Sequence, residues 1–302
     1  MKLKFITLTQ VVAGLSVVAI MTTGCDFFAD KPEEETAEID PTDTIQSNPG
    51  FNIGGEVFSI PSPIQTAFLI KGSGATYSKG ILNPTNKVAQ YATNFSKAIN
   101  LGIYGADLGY VTIYDQNQDA SSYLVAAKKL SDGLGVSAAF DNKTIERFSK
   151  NLGNKDSMLS MVGVAYRASD AYLKTNDRSD VSGLVLAGGW IESLYFTTDI
   201  YKAKPNEEVK RRIAEQKLSL QSLIKLLTPY YSQPDYTKFI DGLKDLATIY
   251  DGVEFKYTFV KPTVDTKNKL TTINSTTEIN ITAEQVEAIT QKVRAIRTGV
   301  TG

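Results

Sequence analysis

The sequence predicts an all-α fold, a multi-helix bundle of antiparallel helix pairs with a small β-hairpin or extended arm before the last helix. Three observations lead there. Apolar residues recur at three- and four-residue steps over most of the chain beyond residue 83. Helix-start chemistry recurs between those runs. One stretch, Val253, Phe255, Tyr257 and Phe259, alternates strictly and reads as a strand.

The elements follow in order. Asn83-Pro84 reads as a cap with proline in the first turn, and Val88, Tyr91, Phe95, Ile99 and Ile103 form a stripe that runs a helix to about Tyr114. A polar break at Asp115 to Asp119 leads into a helix near 121–131, where Leu124, Ala127 and Leu130 step by three. Further helices are expected over 143–151, 156–174, 180–202, 206–228 and 235–250, the 206–228 helix opening on Asn206, Glu207 and Glu208, acidic groups suited to a helix N-terminus. Residues 269–281, rich in threonine, isoleucine and asparagine, complete an arm over about 253–281. Thr282 and Gln285 then form a capping box for the last helix.

Residues 1–24 read as a targeting segment. Lys2 and Lys4 are a basic start, Val11 to Met21 are mostly apolar, and Thr22-Thr23-Gly24 supply small residues before Cys25. The apolar run is short for a membrane span, which needs about 20 residues. Thr22-Thr23-Gly24-Cys25 resembles the lipobox of bacterial lipoproteins, with Thr22 where leucine is usual. The resemblance implies cleavage before Cys25, lipidation of its thiol, and an exported chain anchored to the cell envelope, at the outer membrane, on its periplasmic or surface face. Residues 26–43 carry eight acidic side chains against Lys31 alone, a net −7. Such a segment cannot offset its chain entropy by burial, so residues 25–60 are expected to be the lipidated cysteine and a flexible linker. Residues 61–302 are expected to be one helical domain.

Two expected helices place glycines among large apolar residues: Leu101 to Gly109, and Leu186 to Leu194. Interior glycine costs roughly 1 kcal/mol relative to alanine, so it predicts close backbone approach. At an offset of 86, Gly102, Tyr104, Leu108 and Tyr110 match Gly188, Trp190, Leu194 and Phe196. That offset suggests a duplicated unit spanning 86–150 and 178–250.

The catalytic inventory is thin. The chain has no histidine and one cysteine, which excludes histidine general bases, His-dependent nucleophiles and histidine-ligated metals. Lipidation would consume the one thiol. Carboxylates within apolar helices remain: Asp107, Glu192 and, seven residues on, Asp199. Two such groups could act as acid and base on a glycosidic bond, and Arg167 would pair with Asp170. Asp115, Asn117 and Asp119 resemble the first half of an EF-hand calcium loop, but Ala120 and Ala126 replace its glycine and glutamate. Tyr230, Tyr231 and Tyr236 are candidates for a sugar platform. No phosphate loop or nucleic-acid signature is present, and no cofactor is implied. The expected role is a membrane-anchored binding or interaction protein with an envelope protein or glycan partner. The alternative is a carboxylate-dependent hydrolase of envelope or extracellular glycans.

Overall fold

The computed structural model describes residues 51–53, 56–58, 63–136, 142–151, 153–154, 156–158, 160–161, 163, 178–265, 267 and 269–302. Cys25, the targeting segment, the acidic stretch, and Arg167 with Asp170 lie outside the described residues. So does most of the helix expected over 156–174.

The body is a bundle of helices. Strands β1 (Phe51–Ile53) and β2 (Glu56–Phe58) pair antiparallel within the segment expected to be linker. Helix α1 (Pro63–Gly72) follows. Its apolar residues fall all round the axis, so periodicity does not announce it. The helix expected from Asn83 begins eleven residues later, at Asn94. Asn83 is buried and committed to tertiary contacts: its carbonyl accepts from Tyr123 Oη at 3.0 Å, and its amide donates to Tyr91 Oη at 3.0 Å and Asn100 Oδ1 at 3.2 Å. Residues Thr85–Gln90 form a 3-10 turn instead. Helix α2 (Asn94–Ile113) starts at a capping box of Thr93 and Ser96.

After α2, Asp115 at φ 59° turns the chain into α3 (Asn117–Leu134), which closes on Gly135 at φ 74°. The left-handed turn at Gly135 suits a residue without a Cβ. Next come α4 (Asn142–Lys150), α5 (Ser179–Ala203), α6 (Glu207–Leu227) and α7 (Pro234–Asp251). Asn206 caps α6, its Oδ1 accepting from the Glu208 and Val209 amides at 2.8 and 3.2 Å. Helix α8 (Ala283–Thr301) opens on the Thr282 and Gln285 capping box.

Neighbouring helices pair antiparallel. Lys97 meets Gly133 and Tyr104 meets Tyr123 between α2 and α3. Trp190 Nε1 donates to Gln216 Oε1 at 2.9 Å between α5 and α6. Lys292 reaches Asp245 at 2.7 Å between α8 and α7. At the centre, α2 and α5 run parallel, since Gly102 faces Val185 and Gly189 while Tyr110 meets Phe196 at 5.0 Å between ring centroids. A Cβ on Gly102 would sit 2.0 Å from the Val185 carbonyl oxygen, and one on Gly188 would sit 1.9 Å from that of Ile99. The two contacts are equivalent at the offset of 86, so the matched positions face each other across a local two-fold relation.

An arm projects between α7 and α8. Strand β3 (Glu254–Thr258) pairs with β6 (Thr276–Asn280), and β4 (Thr263–Asp265) pairs with β5 (Leu270–Thr272). Thr258 pairs with Thr276 and the next outward pair is Thr263 with Thr272, so residues 259–262 oppose only 273–275. The extra residue has the count of a β-bulge. It shifts side-chain parity, so that Phe255, Tyr257 and Phe259 before it and Val264 after it share one face with Ile273 and Ile279. Val253 and Ile281 anchor the base in the core, and Lys217 Nζ holds the Val253 carbonyl at 2.8 Å.

Candidate functional site

Asp107 and Glu192 come together. Both are fully buried, projected from the parallel helices α2 and α5 that the glycine contacts hold close. Arg297 of α8 completes the centre, reaching Glu192 through Nε at 2.5 Å and through a second nitrogen at 2.6 Å. The same guanidinium donates to the Ile81 carbonyl at 3.0 Å and lies over the Tyr195 ring, 4.2 Å from its centroid. Helices α2, α5 and α8 and the segment before α2 therefore converge on one buried charge cluster.

Its electrostatics assign the proton. Neither Asp107 oxygen meets a donor at full hydrogen-bonding geometry, and burial, followed by the negative charge of Glu192, raises its pKa well above the usual carboxylate range against the Arg297 charge and the Asn83 backbone. Burial also raises Glu192, against the hydrogen bond and charge of Arg297. The arrangement that satisfies all three groups is a protonated Asp107 donating to Glu192, with Glu192 ionised against Arg297. Around them, burial raises the phenols of Tyr104 and Tyr123. A protonated acid beside a carboxylate has the elements of acid-base chemistry. Here neither group has exposed surface, and their reach ends at each other and at Arg297.

The remaining sequence candidates are scattered. Asp199 pairs with Arg294 at 3.1 Å. Asp119 accepts from Lys79 Nζ at 2.5 Å and from Tyr77 Oη at 2.7 Å; the Lys79 hydrogen bond, then that of Tyr77, lowers its pKa. Asp115 takes Lys71 at 3.2 Å, and Asn117 opens α3. Among the described residues, no three or more acidic side chains converge as metal ligands. The tyrosines do not form an open platform: Tyr236 is buried, Tyr230 packs on it with centroids 5.6 Å apart, and Lys244 Nζ covers Tyr231 at 4.2 Å from its ring centroid. A groove of about 460 Å³ lies between the start of α2 and helices α7 and α8, floored by Phe95, Phe239 and Ile296 with Asp235 and Lys238 on its lining. Neither Asp107 nor Glu192 lines it.

The unusual surface is the arm. Of ten exposed large hydrophobic side chains among the described residues, Phe255, Tyr257, Phe259, Val260, Val264, Leu270 and Ile273 belong to it, with Ile273 at 75% exposure. Strict alternation in the sequence already marked the aromatic row. The bulge that keeps Val264 and Ile273 on the same face is a matter of register. The opposite face at the base is polar and carries the Lys256 and Glu278 pair at 3.7 Å. Proteins seldom leave contiguous apolar surface in water unless something covers it. The chain matches no family model, no curated protein and no solved structure.

Proposed function

We propose that this protein is a lipoprotein of the cell envelope, held to a membrane through Cys25 and acting as a non-enzymatic interaction protein through its β arm. The observation that carries the proposal is the exposed aromatic row of Phe255, Tyr257 and Phe259 on an arm that touches the core only at its base, through Val253, Ile279 and Ile281. The resemblance at Thr22-Thr23-Gly24-Cys25 supports the anchor, and the acidic stretch that follows supports a spacer on the order of 30 Å long that lifts the body off the bilayer. The enclosure of Asp107 and Glu192 favours binding over hydrolysis, since a glycan cannot reach them.

The test separates surface from fold. In the full chain, Tyr257→Ser with Phe259→Ser leaves the thermal midpoint unchanged, because both side chains are exposed, and abolishes cross-links formed in intact cells by a photoreactive residue at Thr258. Cross-links that persist in the double variant would overturn the reading.

A further inference from the structure

We propose that the arm's returning edge, residues 270–280, pairs antiparallel with the same edge of a second copy of this chain. The proposal rests on the reading of the arm as the interacting element and names what covers it.

A two-stranded ladder leaves a row of backbone N–H and C=O groups open on each side, and such a hairpin alone is marginal in water. The two edges of this arm differ. Residues 254–265 carry Glu254, Lys256, Lys261 and Asp265, with Pro262 at the bulge, and charges and proline are the devices that blunt an edge against pairing. Residues 270–280 carry Glu278 as their one charge and no proline, in a run of threonine, isoleucine and asparagine that suits a strand. The first edge is protected and the second is bare.

The bare edge is complementary to itself. Antiparallel pairing centred on Ser275 uses all of 270–280 and sets Thr271 opposite Ile279, Thr272 opposite Glu278 and Ile273 opposite Thr277. No like charges meet. Odd positions face odd positions, so the apolar faces of the two arms fall on the same side of the joint sheet. Ser275 does not obstruct it, because its hydroxyl turns inward to the Val260 backbone, accepting from N–H at 3.1 Å and donating to C=O at 3.2 Å. The product is a four-stranded sheet with one apolar face, above the three strands a sheet needs for stability of its own. A lipid surface fits less well, because acyl chains offer nothing to the open backbone groups.

The test uses two differently tagged full-length copies made in the same cells. One carries Ile273→Cys and the other Thr277→Cys; a second pairing uses Thr272→Cys with Glu278→Cys. Hydrogen-bonded and non-hydrogen-bonded pairs alternate along the ladder, so one of the two mixtures holds its cysteines at the closer spacing. The expected result is a mixed disulfide in that mixture at least tenfold above two copies of the same variant and above chains with Cys25 alone. No excess in either mixture, or equal cross-linking of identical variants, overturns self-pairing. As a second measure, Thr272→Glu sets two acids opposite each other and weakens self-association of the full chain in detergent several-fold while its helical circular dichroism stays that of the parent; unaltered association overturns the register. A monomeric chain that binds anionic vesicles through the arm overturns the second copy in favour of lipid. Self-pairing can fail in these ways while the Tyr257 and Phe259 variants still lose their cellular cross-links, which keeps the two readings separable.

Discussion

At Arg297, a bidentate guanidinium neutralises a carboxylate that has no exposed surface. Removing one partner of such a pair leaves the other charged and buried, at a cost of about 3–5 kcal/mol. Arg297→Met is therefore expected to lower the unfolding free energy from urea titration by that amount, and a loss under about 1 kcal/mol would show that water reaches Glu192. Asp107 sets a pH dependence. Its folded-state pKa lies above the ordinary 3.8, so the stability it contributes is full below that value and is lost as pH rises through the folded pKa. The native state holds a proton that the unfolded chain releases, so stability falls with rising pH over this window. Asp107→Asn donates to Glu192 without titrating. Urea midpoints measured from roughly pH 5 to 9 should slope downward for the parent chain and flatten in the variant.

At the scale of elements, the paired helices α2 and α5 depend on two hydrogen atoms. Gly102 and Gly188 admit the opposing carbonyls because neither has a Cβ, and alanine at either position would place carbon 2.0 or 1.9 Å from backbone oxygen. Backbone cannot step aside as a flexible side chain can, so the helices must separate. Gly102→Ala and Gly188→Ala should each cost at least the upper end of the roughly 1–3 kcal/mol typical of overpacking, read as a drop in calorimetric midpoint. Gly299→Ala, whose Cβ would meet nothing within 4 Å, is the control and should be neutral or slightly stabilising through helix propensity. The glycines were legible as close-approach sites because so many in one apolar helix have no other physical reason. Helix starts were less legible. Asn83-Pro84 has the chemistry of a cap, and its side chain is claimed by Tyr91 and Asn100 from elsewhere in the fold. Local propensity yields when tertiary partners satisfy the same atoms better.

At the scale of the whole molecule, anchor, spacer and body form the proposed plan. No described helix is long and apolar enough to cross a membrane; in the proposed plan, attachment is through Cys25. Cys25→Ala should release the chain from the membrane fraction and remove acyl mass from the mature N-terminus by mass spectrometry. Unchanged membrane association would refute the anchor.

The amino-acid sequence by itself determined the helical class, the alternating arm before the last helix, and the absence of histidine and spare thiol chemistry, because periodicity, capping residues and composition are local properties. It marked Asp107 and Glu192 as unusual, since each is a carboxylate inside an apolar helix. Only the tertiary structure decided that they share one buried cluster with Arg297, which lies 105 residues beyond Glu192. The reason is geometric: α2 and α5 meet through backbone at the glycines, α8 crosses them from the far end of the chain, and no local pattern encodes which distant cation arrives.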